Sequence, residues 1–228
     1  HDSVLFPHIV ELYEQATARG ENYFSFNVTF QGHGPYFSDA EYDHPYVENK
    51  GYSEESYNYL NNYLAIADDV DDALKDMVQS LRESEEPVVL ILFGDHMPSL
   101  GDKNSAYGEF GISLDLASDE GFYNYYSTPY VIWANDEAKR VLGNDFVGEG
   151  PTIGTNFLMN EFFRLAGYTG NEYMQYTADL MQTFQCIHST WICLTPEGLC
   201  RELSPAQEEA YEEFMDVQYY WRSNYQKK

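Results

Sequence analysis

The sequence predicts an α/β fold, with a mostly parallel or mixed sheet flanked by helices on both faces. Three observations predict it. Val88 to Phe93 is a run of apolar residues without a charge, the pattern of a strand covered on both sides. Long amphipathic patterns stand on either side of it. Helix-like and strand-like segments alternate along the 228 residues, an order that wraps helices around a parallel or largely parallel sheet.

Taken in order, Phe6 to Arg19 carries Ile9, Val10, Leu12, Tyr13 and Ala16 at helical spacing, and Gly20 stops it. Tyr23 to Phe30 alternates aromatic or apolar residues with small polar ones, which predicts a strand. A loop rich in Gly, Pro and Asp follows, from Gln31 to Tyr46. Ser53 to Arg82 is one long helix whose buried face is Leu60, Leu64, Ala67, Val70, Leu74, Met77, Val78 and Leu81, with the Asp68–Asp72 acidic run on the wet side. After the Val88–Phe93 strand, Pro98 to Gly121 reads as loop. Pro129 to Ala134 is a second short buried strand, and Asp136 to Leu142 a helical turn closed by Gly143. Thr155 to Ala166 is an amphipathic helix with Thr155 at its start and Gly167 at its stop. Phe184 to Leu203 is a small hairpin or extended excursion. Ser204 caps a last helix from Pro205 to about Tyr225. Residues 1–180 form the main body of the domain, and residues 181–228 its cysteine-containing excursion and final helix.

The charge excludes two classes of partner. Against 12 basic residues stand 38 acidic ones, a net charge of −26. Nucleic-acid affinity comes from Lys and Arg neutralising phosphates, and docking on anionic lipid needs the same cations. No apolar run approaches the roughly 18 residues of a membrane span. The 21 tyrosines suit a glycan surface but also pack half-buried strands and helices. Cys186, Cys193 and Cys200 lie in one segment and leave one thiol over if two pair, as Cys186–Cys200 or Cys193–Cys200. Cys186 and His188 do not match a tight zinc spacing.

Two loops carry chemistry. Phe93-Gly94-Asp95-His96 follows a strand, at the end where open α/β sheets bind ligands. Asp95 and His96 offer one carboxylate oxygen and one imidazole nitrogen to a metal. Gln31 to Tyr36, QGHGPY, follows the Tyr23–Phe30 segment and presents His33 between two glycines, suited to anion binding, proton transfer or metal ligation. Lys103 and Asn104 are possible phosphate or hydroxyl contacts on a solvated loop. Trp133 reads as core, His8 as structural and His44 as inert. Neither Ser99 nor Thr155 stands out as an activated nucleophile. The Gly-rich phosphate loops and the Gly-x-Ser-x-Gly elbow are absent.

HGPY after a strand, SYNYLNNYLAIADDVDDAL, PVVLILFGDHMPSLG, YYSTPYVIWAN and TNFLMNEFFRLAG stand in an order that resembles the lipoteichoic acid synthase-like phosphoglycerol transferases. These form part of the sulfatase branch of the alkaline phosphatase superfamily. The resemblance runs from Asp2 to Asp179. It implies a membrane-anchored bacterial enzyme with its catalytic domain outside the cell, anchored through segments other than this chain. Such enzymes move glycerol phosphate from a phosphatidylglycerol-type lipid head group to a glycan or polymer acceptor. One divalent metal, manganese or magnesium with zinc or calcium as alternatives, is held by a Glu, a nucleophilic Thr and an Asp-His pair. By position that pair is Asp95 and His96, and His33 is the residue that touches the phosphoglycerol. Gly32 replaces the family's usual Asn. The Glu and the Thr have no counterpart here, so the resemblance implies the C-terminal half of the catalytic domain, inactive alone. A sulfatase or phosphodiesterase with water as final acceptor, and a non-catalytic glycan-binding module, are the alternatives.

Overall fold

A computed structural model describes residues 1–39 and 44–225 of the chain. The chain divides into two compact units, His1–Val141 and Leu142–Lys228. Residues 40–43, part of the loop read between Gln31 and Tyr46, lie outside the described residues.

The first unit is built on two helices and a strand pair. Helix α1 (Asp2–Thr17) and helix α2 (Glu54–Arg82) pack together, as the apolar spacing of both predicts. Ser53 caps α2, its side chain accepting from the Ser56 N–H. Phe6, Met77 and Leu81 form a buried cluster that Leu90 and Trp133 join from the strands, with Val88 just before the first of them. Trp133 is therefore core, as its sequence context indicates. Strands β1 (Val89–Phe93) and β2 (Tyr130–Ala134) pair antiparallel, with Leu90 opposite Trp133 and Phe93 opposite Tyr130.

That pairing refines the expected sheet. The class is α/β, but every strand pair among the described residues is antiparallel. An apolar run specifies burial, whereas the direction of pairing depends on which edge a neighbour reaches. The Tyr23–Phe30 segment is a second correction. It forms no ladder among the described residues, and Phe24, Phe26, Val28 and Phe30 are all about 70–80% exposed. Its alternation is that of a strand, but a strand exists only where another backbone supplies hydrogen bonds.

The stretch read as loop between Pro98 and Gly121 holds a 3-10 turn at Asp102–Asn104, helix α3 (Ala106–Glu109) and the start of helix α4 (Asp119–Tyr126). Ser118 caps α4 by accepting from the Gly121 N–H. A Cβ on Gly121 would stand 2.2 Å from the Asp115 carbonyl oxygen, so only glycine lets the helix start there. Helix α5 (Asp136–Leu142) follows β2.

In the second unit, helix α6 (Leu158–Ala166) ends at Gly167 with φ 71°, the left-handed stop the sequence predicts. Helix α7 (Glu172–Leu180), capped by Asn171, was not apparent from the sequence pattern. The cysteine segment is a three-stranded antiparallel meander of β3 (Cys186–Ile187), β4 (Cys193–Thr195) and β5 (Gly198–Cys200). Helix α8 (Pro205–Asn224) starts from a capping box between Ser204 and Gln207. Phe157, Leu180, Phe184, Cys193 and Phe214 form the core of this unit.

Candidate functional site

The loop after β1 is held from below. The Gly94 N–H donates to the Pro129 carbonyl at 3.2 Å, and the Thr128 hydroxyl donates to the Gly94 carbonyl at 2.7 Å. A Cβ on Gly94 would stand 2.9 Å from Thr128 Cβ, so glycine is required by the close approach. Asp95 and His96 then project from a pinned backbone, and both side chains are more than half exposed.

Their donor atoms are sorted by backbone contacts. Asp95 Oδ1 accepts from the His96 N–H at 2.9 Å. His96 Nδ1 lies 2.8 Å from the Met97 carbonyl oxygen. A carbonyl only accepts, so Nδ1 carries the proton and the neutral ring keeps its lone pair on Nε2. The uncommitted atoms, Asp95 Oδ2 and His96 Nε2, stand 3.8 Å apart. That separation is beyond a hydrogen bond but lets both touch one small cation, at about 2.0–2.2 Å from each. An imidazole whose other nitrogen is tied to a carbonyl is the usual arrangement of a metal-binding histidine.

His33 comes to the same place. Its Nδ1 lies 2.7 Å from the Gly34 carbonyl, which leaves the lone pair of the neutral ring on Nε2 by the same reasoning. Its ring stacks on Phe30 at 5.1 Å and meets His96 edge-on, with centroids 5.7 Å apart and planes at 89°. The two loops converge because one core holds both. Tyr36 closes the His33 loop by donating to the Gly32 carbonyl at 2.7 Å, and it is buried with Leu100, Ala106 and Tyr107. Tyr107 in turn donates to the Pro98 carbonyl at 2.6 Å, and Met97 packs on the same cluster. Burial, with Tyr63 and Tyr36 adding to it, pushes the Tyr107 phenol up to about 12. Burial raises Tyr36 likewise, with Tyr63 adding to it. Both therefore stay neutral donors at neutral pH.

One residue at this site escapes sequence reasoning. Asp2 is buried at the start of α1; its backbone N–H donates to Gln31 Oε1 at 2.8 Å, and its Oδ2 has no partner among the described residues. With Gln31, His33 and Phe30 it lines an open cleft of about 370 Å³. The only signal in the sequence is an acid in the first turn of a helix, and that ordinarily marks a capping preference.

Lys103 and Asn104 have left-handed backbones within the 3-10 turn, at φ 51° and 64°. His8 lies in α1, as its helical context indicates, exposed beside Glu11, and His44 is exposed. Among the described residues no group of three or more His, Cys, Asp or Glu side chains could hold a metal ion, and no helix is long and apolar enough to cross a membrane.

Comparison with known proteins bears on this geometry. The Sulfatase family model matches residues 1–168. A putative cyclic beta-1,2-glucan modification protein of Rhizobium meliloti (strain 1021) is 27% identical over 180 residues, covering 76% of this chain and 26% of that protein. The structure of the Streptococcus pyogenes phosphoglycerol transferase GacH, in complex with sn-glycerol-1-phosphate, superposes with a TM-score of 0.56 at 20% identity, over 84% of this chain and 42% of that one. The chain thus spans about a quarter of the curated relative and less than half of the solved structure it matches.

Proposed function

The chain belongs to the sulfatase family, and from that premise we propose that it is the part of a phosphoglycerol transferase that carries the Asp-His metal pair and a substrate-binding histidine. The observation that carries this reading is the free pair Asp95 Oδ2 and His96 Nε2, 3.8 Å apart, with the other atom of each side chain committed to backbone. A hard divalent cation such as manganese or magnesium suits the carboxylate oxygen and tolerates the imidazole. When bound, it supplies charge neutralisation for a transferring phosphoryl group and lowers the pKa of an attacking hydroxyl.

The chain's own residues do the rest. Asp95 contributes one negative charge, and Gly94 and Thr128 hold its backbone in place. His96 keeps Nε2 as the donor atom through its bond to Met97. His33, whose ring meets that of His96 edge-on, accepts from a glycerol hydroxyl through the Nε2 lone pair when neutral, and when protonated donates from Nε2 to a phosphate oxygen or gives that proton to the leaving oxygen. The nucleophile and the remaining metal ligand come from residues beyond this chain, so the chain alone does not turn over. The working enzyme is bacterial, is anchored to the membrane through other segments, and acts outside the cell. Its donor is a phosphatidylglycerol-type lipid. The GacH complex with glycerol phosphate supports the donor chemistry, and the glucan modification protein supports a glycan as acceptor.

The test is Asp95→Ala and His96→Ala in the enzyme that contains this chain. Both variants should lose manganese affinity in calorimetry and lose transfer from a phosphatidylglycerol donor. Unchanged manganese affinity would overturn the assignment of the pair. Release of free glycerol phosphate with no acceptor product would make the enzyme a hydrolase of the same family.

A further inference from the structure

We propose that Cys193 and Cys200 form a disulfide that locks the β4–β5 hairpin, with Cys186 left as the unpaired thiol. The register carries the inference. Cys193 stands directly opposite Cys200 in the antiparallel ladder. Opposed residues of such a ladder have Cα atoms about 4.5–5.5 Å apart and side chains on one face. A disulfide needs Cα atoms roughly 4.4–6.8 Å apart, so the bridge forms without moving the backbone. Cys186 is placed differently. It is opposite Leu194, while its neighbour Ile187 is opposite Cys193, so it lies on the other face of β4. Its sulfur packs instead over Gly154, 3.3 Å from where a Cβ there would stand.

All three cysteines are free thiols in the structure, and the order of reaction follows from their exposure. Cys193 is fully buried in the core of the second unit. Burial, with Cys186 and Cys200 adding to it, pushes its thiol up to about 11, so it is a poor first nucleophile. Cys200 is half-exposed, and its sulfur donates to the Glu202 carbonyl at 3.0 Å. Cys200 therefore attacks first. Its thiolate displaces one thiolate from a small disulfide such as glutathione disulfide, giving a mixed disulfide. Cys193 then gives up its proton and attacks the Cys200 sulfur, forming the internal bond and expelling the second thiolate, which takes that proton. Two protein thiols are oxidised and one external disulfide is reduced to two thiols. The inference rests on the ladder alone and is independent of the catalytic reading.

The experiment treats the whole chain with glutathione disulfide, denatures it without reduction, and alkylates it. Cleavage after Glu197, which lies between the two cysteines, then separates two peptides that stay joined only through the bridge. The expected result is a linked Cys193–Cys200 species with Cys186 alkylated, retained in Cys186→Ser. In Cys193→Ser, Cys200 should accumulate as a glutathione adduct, whereas Cys200→Ser should leave Cys193 unmodified in the folded chain. Alkylation of all three cysteines, or a link that includes Cys186, overturns the proposal.

Discussion

Asp95 and His96 are useful because of what each has already spent. One oxygen and one nitrogen are bonded to backbone, and the other two point outward 3.8 Å apart. The precision of that pair depends on Gly94. Gly94→Ala places a methyl 2.9 Å from Thr128 Cβ. It should cost about 1–3 kcal/mol, read as a lower Tm, and on the proposed function should weaken manganese binding even though Asp95 and His96 remain. His33 depends on Tyr36 in the same way. Tyr36→Phe removes the bond to the Gly32 carbonyl and should cost ~1 kcal/mol. On the proposed function, it should raise KM for a phosphoglycerol donor more than it lowers kcat, because the loop that presents His33 loosens while Asp95 and His96 stay. A fall in kcat alone, with KM unchanged, would count against that positioning role.

At the scale of elements, two side chains decide how pieces join. Asn135 is buried between the end of α2, the start of β1 and the start of α5. Its amide donates to the Leu81, Ser84 and Glu86 carbonyls, and its Oδ1 accepts from the Val88 and Ala138 N–H groups. Among short side chains only the Asn amide combines two N–H donors with an acceptor oxygen. Asn135→Leu should destabilise by roughly 3 kcal/mol, because several backbone groups are left buried and unpaired; a Tm within error of the parent would refute this. Glu109 ties α3 to the start of α2. It accepts from the Ser53 N–H and from the Ser53 and Ser56 hydroxyls. The Ser53 backbone bond, then the two hydroxyls, hold its carboxyl below the ordinary glutamate value of 4.5. A depressed folded pKa contributes stability that is complete above the unfolded value and is lost as pH falls through the folded one. Acidification from neutral to below 4.5 should therefore lower the parent's Tm more steeply than that of Glu109→Gln. Parallel curves would remove Glu109 from the account.

For the molecule as a whole, charge dominates. A net charge of −26 repels itself, and salt screens exposed charges over about 10 Å at 0.1 M. Raising sodium chloride from low to physiological concentration should raise Tm, and divalent cations should do so at lower concentration. A Tm independent of salt would mean that the acidic residues are already compensated locally. On the proposed function, the same charge would leave a phosphorylated substrate dependent on a bound cation and on the histidines, since the chain has only 12 Lys and Arg.

Much of this was legible in the sequence alone. The two long helices of the first unit, the capped final helix, the left-handed stop at Gly167 and the two apolar strands follow from local rules of period, cap and glycine. So does the placing of Asp95 and His96 after an apolar strand, because loop position is local as well; that strand is only half-buried, with Phe93 exposed. Helices α4 and α7 escaped because each is short and rests on a single Ser or Asn cap rather than on a long apolar stripe. The antiparallel direction of β1 against β2 and the missing ladder of Tyr23–Phe30 were decided by the tertiary structure, since pairing needs a second backbone that no local pattern describes. The meeting of His33 with His96, 63 positions away in the chain, was decided there too. It follows from one buried cluster of Tyr36, Leu100, Ala106 and Tyr107 drawing two distant loops together, and close packing of that kind depends on the whole surrounding core.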